Sequence, residues 1–268
     1  MDKHSFLNMN RPTIVCMVQK TDPESCISVI RNAACDGADA YGVQICCLQR
    51  RYRTADDFRR IFSYAGGKPV YVTDYRHRNS EGMSDDQLAD ELMLAVQAGA
   101  LLVDVMGDMY DPQPLNYTED RVAAAKQMEL IGKVHAAGGQ VLMSTHTKKY
   151  MTCDEVVHIA KLQQARGADI VKVITMADTR QQMLDNLQTT AVLADQLDKP
   201  FIFLANGSWC KLQRLMGPLL GSQIYLCVQQ YEETNSREQP LVRNVRQMLD
   251  CLDWMPSRGG DVDKTQGG

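Results

Sequence analysis

A lysine stands inside an apolar, branched-chain run. Lys172 interrupts DIVKVI (169–174), with valines on both sides, in a stretch whose composition suits a strand buried on both faces. Alternation places Ile170, Lys172 and Ile174 on one face and Val171 and Val173 on the other. If the first face lines the inside of a closed barrel, desolvation disfavours the ammonium and lowers its pKa. A neutral amine is what attack on a carbonyl requires. The bland alternative is a lysine paired with a buried carboxylate. His146 follows QVLMST (140–145) directly. An imidazole titrates near neutrality and moves protons at carbon or oxygen beside an iminium, although a strand-end histidine can equally be a satisfied structural group. Sequential strands are usually neighbours, so Lys172 and His146 can share one cavity.

A second set of residues has the chemistry of substrate binding. Arg214, in SWCKLQRLMG, falls near the start of an expected helix. Helix N-termini and guanidinium forks both suit a carboxylate or phosphate. Arg76 and Glu81 lie in the loop DYRHRNSEGM, where a solvated charged loop is the alternative. Ser208, Asn235, Ser236 and Gln239 occupy late loops from which substrate oxygens can be held. Asp104, in LLVDVM, is either an inward polar group or a strand-end cap.

These residues need a scaffold, and the chain supplies eight alternating units. Strand-like runs are expected at 13–18, 40–47, 70–73, 101–105, 140–144, 169–174, 200–205 and 223–228. Helical patterns follow each, near 22–35, 54–65, 84–98, 118–136, 152–166, 179–197, 211–219 and 240–252. Asp22-Pro23 marks one helix start. Ser84 with Gln87 and Thr152 with Glu155 read as capping boxes. Eight βα units without a composition break argue for a closed (β/α)8 TIM barrel of the α/β class, in a single domain. In such barrels the reacting groups come from the C-terminal ends of strands and the loops beyond them. No GxGxxG follows the first strand, so a dinucleotide fold has little support. The expected organisation is an N-terminal extension at 1–11, the barrel at 12–255 and a flexible polar tail at 256–268.

Composition excludes several classes. The 268 residues are 44% hydrophobic and 23% charged, with net charge −4, so no nucleic-acid or anionic-membrane footprint is present. No apolar run is long enough to cross a bilayer. MDKHSFLNMNRP lacks the apolar core of a signal peptide. The nine cysteines form no CxxC pair and no zinc-like set with histidine, which fits buried free thiols in the cytoplasm. No metal or other cofactor is expected.

The segments VLMSTHTKKYMT (141–152) and GADIVKVITM (167–176) resemble the MSxH and GADxxK segments of the type I 3-dehydroquinate dehydratases, and PFIFLANGSWCKLQRLMGPLLGS (200–222) resembles their seventh-strand, glycine-loop, arginine-helix segment. The resemblance spans roughly residues 12–252. It implies a Schiff-base barrel of the shikimate pathway of aromatic amino acid biosynthesis, acting on a small-molecule carboxylate as a homodimer. It assigns Lys172 as the imine lysine, His146 as the acid/base, and Arg214 as the carboxylate holder. Gln239 matches the glutamine of the eighth loop, with Asn235 or Ser236 standing for its serine. Arg76 and Glu81 match the arginine and glutamate after the third strand, with spacing one residue longer.

The departures lie in one wall of the pocket. Where the family carries a glutamate and, two residues on, an arginine, this chain has Gly42 and Gln44; Met106 replaces an acidic residue. Losing that pair leaves room and removes partners for substrate hydroxyls, which discriminate strongly. The expectation is therefore dehydration of 3-dehydroquinate, or of a related cyclic hydroxyketo acid. Two alternatives stay open. One is a class I aldolase-type carbon–carbon lyase with phosphate near Arg214 and Ser208. The other is a non-catalytic binding relative that keeps its lysine by descent.

Overall fold

Short branched and aromatic runs become strands, and the capped amphipathic segments between them become helices. A computed structural model describes residues 6, 11–233 and 237–252. The expected tail at 256–268 and most of the expected extension at 1–11 lie outside them. The strands are β1 (Thr13–Val18), β2 (Ala40–Gln44), β3 (Val70–Thr73), β4 (Leu102–Met106), β5 (Gln140–His146), β6 (Ile170–Met176), β7 (Phe201–Asn206) and β8 (Ile224–Cys227). Each is followed by a helix: α1 (Pro23–Cys35), α2 (Ala55–Ser63), α3 (Asp85–Gln97), α4 (Arg121–Ala136), α5 (Cys153–Ala165), α6 (Arg180–Gln196), α7 (Cys210–Met216) and α8 (Val242–Asp250). Both expected capping boxes are present, Ser84 with Gln87 and Thr152 with Glu155.

All strand pairs are parallel, and the ladder runs β7-β6-β5-β4-β3-β2-β1-β8. The seam between β7 and β8 is bridged by the Gln223 amide, which donates to Phe201 O at 2.7 Å. The result is a nearly closed (β/α)8 barrel. Alternation divides each strand as a barrel demands. Val15, Ala40, Leu102, Leu142, Ile170, Ile174, Ile202 and Ile224 form one interior cluster, while Val171 and Val173 pack outward with Val156 and Ile159 of α5. Phe6, from the segment before β1, is fully buried in the interior cluster, so that part of the expected extension contributes to the core.

Four element boundaries near the site differ from expectation. The second strand stops at Gln44, and Ile45–Cys47 winds into a 3-10 turn; an apolar run alone does not tell strand from turn. The fourth helix starts at Arg121 rather than near 118, because the Asp120 carboxylate accepts from the amides of Val122 and Ala123. Strands β5 and β6 run on to His146 and Met176, so His146 belongs to the strand itself.

The turn after β7 depends on a glycine. Gly207 has φ +98, and a Cβ there would lie 2.5 Å from Asp178 Oδ1 and 2.8 Å from Ala177 O. Both the left-handed backbone and the crowding oppose a side chain. Gly207→Ala is expected to lower the unfolding free energy by more than about 1 kcal/mol, as read by urea denaturation.

Candidate active site

The interior face of β6 carries Lys172 between Ile170 and Ile174, and register sets what stands beside it. Ser144 of β5 pairs with Lys172, and His146 with Ile174. Ser144 and His146 share a face by alternation, so the imidazole stands one pleat above the amine on the adjacent strand. The peptide of Lys172 is clamped from outside: Gln163 of α5 donates to its carbonyl at 3.1 Å and accepts from its amide at 3.0 Å.

Lys172 is 2% exposed. Its Nζ donates to Asp104 Oδ2 at 3.2 Å, to the Tyr75 hydroxyl at 3.0 Å and to the Tyr71 hydroxyl at 3.3 Å. Both tyrosine hydroxyls in turn donate to Asp104 Oδ2, that of Tyr75 at 2.7 Å. Ser144 Oγ donates to the other carboxylate oxygen at 2.5 Å. Asp104 is thus the inward polar group, not a strand-end cap. Three polar side chains from β3, the loop after it and β4 converge on one amine, and Ser144 of β5 supports the carboxylate among them, so the buried groups are satisfied among themselves.

The electrostatics follow from that arrangement. Burial pushes the Lys172 ammonium down from its usual range; Asp104 opposes the shift and the Arg214 charge adds to it. Burial alone would raise the Asp104 carboxyl, but the Lys172 charge and the hydroxyls outweigh burial and hold it below the usual carboxylate range. Burial, then the Lys172 charge, lowers His146 to about 3, against the partial opposition of Asp104. The imidazole is therefore neutral at physiological pH, a proton acceptor. Its Nε2 is buried without a hydrogen-bond partner among the described residues. Its ring meets Tyr75 edge-on at 5.0 Å, and its amide donates to Asn116 Oδ1.

The remaining candidates are placed unevenly. Arg214 is 5% exposed and points back along β7, with Nε donating to Ala205 O at 2.7 Å and Nη2 to Asn206 Oδ1. Its charge acts on both Lys172 and His146, so it lies within electrostatic reach of the pair. Gln239 is buried, with Oε1 unpartnered among the described residues. Gln44, at the end of β2, accepts from Gln19 Nε2 at 2.9 Å and donates to Cys46 Sγ at 3.3 Å. Arg76 is tied to Asp85 at 2.7 Å and to Asp108 at 2.9 Å, on the outer side of the loop. The Glu81 side chain is exposed, and its carbonyl accepts from Arg50. Asn235 and Ser236 lie outside the described residues.

The family described as type I 3-dehydroquinase matches residues 14–255. The chain belongs to that family. It is 26% identical over 197 residues to a 3-dehydroquinate dehydratase of Aromatoleum aromaticum, covering 73% of this chain and 66% of the relative. It is 28% identical over 206 residues to one of Geobacillus thermodenitrificans, covering 74% and 72%. Among solved structures it is similar to the 3-dehydroquinate dehydratase of Geobacillus kaustophilus, with TM-score 0.76 at 19% identity over 91% of this chain and 92% of that one. It is also similar to the type I enzyme of Clostridium difficile with covalently modified comenic acid, with TM-score 0.77 at 18% identity over 91% and 93%.

The space expected beside Gly42 is filled. A Cβ built on Gly42 would overlap Met17 Sδ and lie 3.2 Å from the Tyr71 ring. The missing side chain on β2 makes way for Met17 and for the Tyr71 ring, whose hydroxyl reaches Asp104. Tyr75, past the end of β3, turns to Lys172, whereas Arg76 turns to Asp85 and Asp108. Sequence reasoning passed over Tyr71 and Tyr75. Their signal was the alternation Tyr71-Thr73-Tyr75, set beside a glycine in mid-strand, a position that often marks a close neighbour.

Two outcomes follow for this chain. Asp104→Asn strands an ammonium in the barrel and is expected to cost about 3–5 kcal/mol, read by chemical denaturation. His146 holds no proton in the fold until the pH nears 3, whereas unfolded histidine takes one near 6.5. Its stabilising contribution is therefore whole above 6.5 and is lost as the pH falls towards 3. Between pH 6.5 and 5 the wild type is expected to lose roughly 2 kcal/mol more than His146→Gln. Equal pH slopes for the two proteins would show that folding leaves the pKa of the imidazole unshifted.

Proposed function

We propose that the chain is a hydro-lyase that dehydrates 3-dehydroquinate to 3-dehydroshikimate through an imine on Lys172. One observation carries the reading: in a chain of this family, an amine and a neutral imidazole on adjacent strands face the same barrel interior. The Lys172 amine condenses with the ketone and releases water, and the resulting iminium draws electrons from the neighbouring carbon. His146 takes a proton from that carbon, giving an enamine, then returns it to the hydroxyl that departs one carbon further on. Water hydrolyses the iminium, frees the unsaturated ketone and restores the amine. Arg214 holds the substrate carboxylate with the donors that Ala205 and Asn206 do not occupy. Gln239 and Gln44 are the partners of the substrate hydroxyls in this reading, and Asn235 and Ser236 are assigned to the same task by the resemblance. Arg76 and Glu81 shape the rim, because Arg76 already holds two carboxylates. A cytoplasmic homodimer completes it, the assembly to be checked by sedimentation velocity.

Among the described residues, no helix is long and apolar enough to cross a membrane, in keeping with a small-molecule enzyme. The decisive experiment adds 3-dehydroquinate and borohydride and weighs the intact protein. A reduced adduct on Lys172 is expected, and none on Lys172→Met. His146→Gln is expected to form the adduct while turnover falls by about 100-fold or more. A wild-type chain that neither traps substrate nor turns it over would reduce the Lys172–Asp104 contact to a structural ion pair.

A further inference from the structure

Two tyrosines reach the same amine, and they are not equivalent. Tyr71 sits in mid-strand on β3, is fully buried, and its ring is packed against the space left at Gly42. Tyr75 follows the C-terminal end of β3 and is only partly buried, with its ring against His146 at 5.0 Å. Catalytic barrels receive substrate at that end, so an incoming ketone meets the Tyr75 hydroxyl, whereas Tyr71 lies beneath the amine. Tyr75 also stands in a line of donors: Lys172 Nζ donates to its oxygen at 3.0 Å and it donates to Asp104 at 2.7 Å.

We infer that Tyr75 is a catalytic proton relay for imine formation, its hydroxyl carrying protons from the Lys172 nitrogen to the oxygen of the substrate ketone. The inference rests on the Schiff-base reading above and adds a residue to it. The chemistry creates the need. An ammonium and a ketone become an iminium and water, so two of the three nitrogen-bound protons must end on oxygen. First, the ammonium gives one proton to Asp104 through the Tyr75 hydroxyl, which accepts on one side and donates on the other. The freed amine attacks the carbonyl carbon as the C–O π bond opens. Tyr75 then turns its O–H to the new alkoxide and is reprotonated from the nitrogen, leaving a neutral carbinolamine. The C–O bond breaks as nitrogen pushes in its lone pair. The departing hydroxide takes the proton parked on Asp104, again through Tyr75, and leaves as water. No external acid or base is consumed. Burial beside Asp104 keeps the phenol protonated, with its pKa raised well above the usual value, as a relay donor must be. Tyr71 supports the carboxylate from below and is the positioning partner.

The test is the rate of borohydride-trapped adduct at Lys172, by rapid quench and intact mass, for the wild type, Tyr75→Phe and Tyr71→Phe. Each is run with 3-dehydroquinate and with pyruvate as a plain keto acid. Tyr75→Phe is expected to reach the same final adduct about 100-fold more slowly, and Tyr71→Phe, which loses a positioning hydrogen bond but no relay group, to be slowed by no more than about 10-fold. The deficit of Tyr75→Phe is expected at every pH. If raising the pH restored its rate, Tyr75 would be merely setting the charge of Lys172, and the relay would be overturned. It would also be overturned by a wild-type trapping rate in a folded Tyr75→Phe, judged by an unchanged melting temperature, or by Tyr71→Phe being the slow variant. A Tyr75-dependent adduct with pyruvate and none with 3-dehydroquinate would uphold the relay and sink the substrate assignment. Absence of adduct with both would sink both.

Discussion

An ammonium inside a barrel must have an anion within reach, and most of what is distinctive here answers that demand. Taking a lysine charge out of water costs several kcal/mol even after relaxation. The cost is offset by the Asp104 carboxylate at 3.2 Å and by hydroxyls that satisfy the lone pairs and protons left over. Asp104 is fully buried too, so each ion stabilises the other and neither is tolerable alone. The opposed pulls of burial and pairing leave Lys172 with a lowered pKa, the state from which an amine is most easily released to react.

The barrel supplies that pairing through register. Parallel ladders place Asp104 opposite Leu142, Met106 opposite Ser144, and Ser144 opposite Lys172. Because side chains alternate with period two, a one-residue slip in any of these ladders would carry a charged group out under the helices. The helices guard against such slips with buried polar clamps. Gln163 grips the Lys172 peptide on both sides. Arg166, at the end of α5, donates to the carbonyls of Gly107 and Thr118 and to the Gln127 side chain, which ties the loop after β4 to α4 and α5.

The departures from the family pattern form one local solution. A glycine on β2 opens space, a tyrosine on β3 enters it, and a second tyrosine takes the inward position beyond the strand while Arg76 turns outward to two aspartates. Two phenols are thereby directed at the amine. The packing at Gly42 and the surroundings of the amine are therefore coupled, so substitutions at Gly42, Tyr71 or Tyr75 act on both.

Much of this was legible in residue order. The eight strand–helix units, the two capping boxes and the burial of Lys172 follow from local patterns, because caps, turns and alternation are short-range properties of the chain. The histidine one strand earlier was legible for the same reason. What residue order could not decide was which groups meet across the interior. Tyr71 lies 33 positions from Asp104 and 101 from Lys172, and nothing local says that a mid-strand tyrosine will turn its hydroxyl to a carboxylate on the next strand. Arg76 and Tyr75 are adjacent, and only the closed barrel chose between them. Closure decides because it alone fixes which side chains share the small, water-poor interior in which a charge must find its partner.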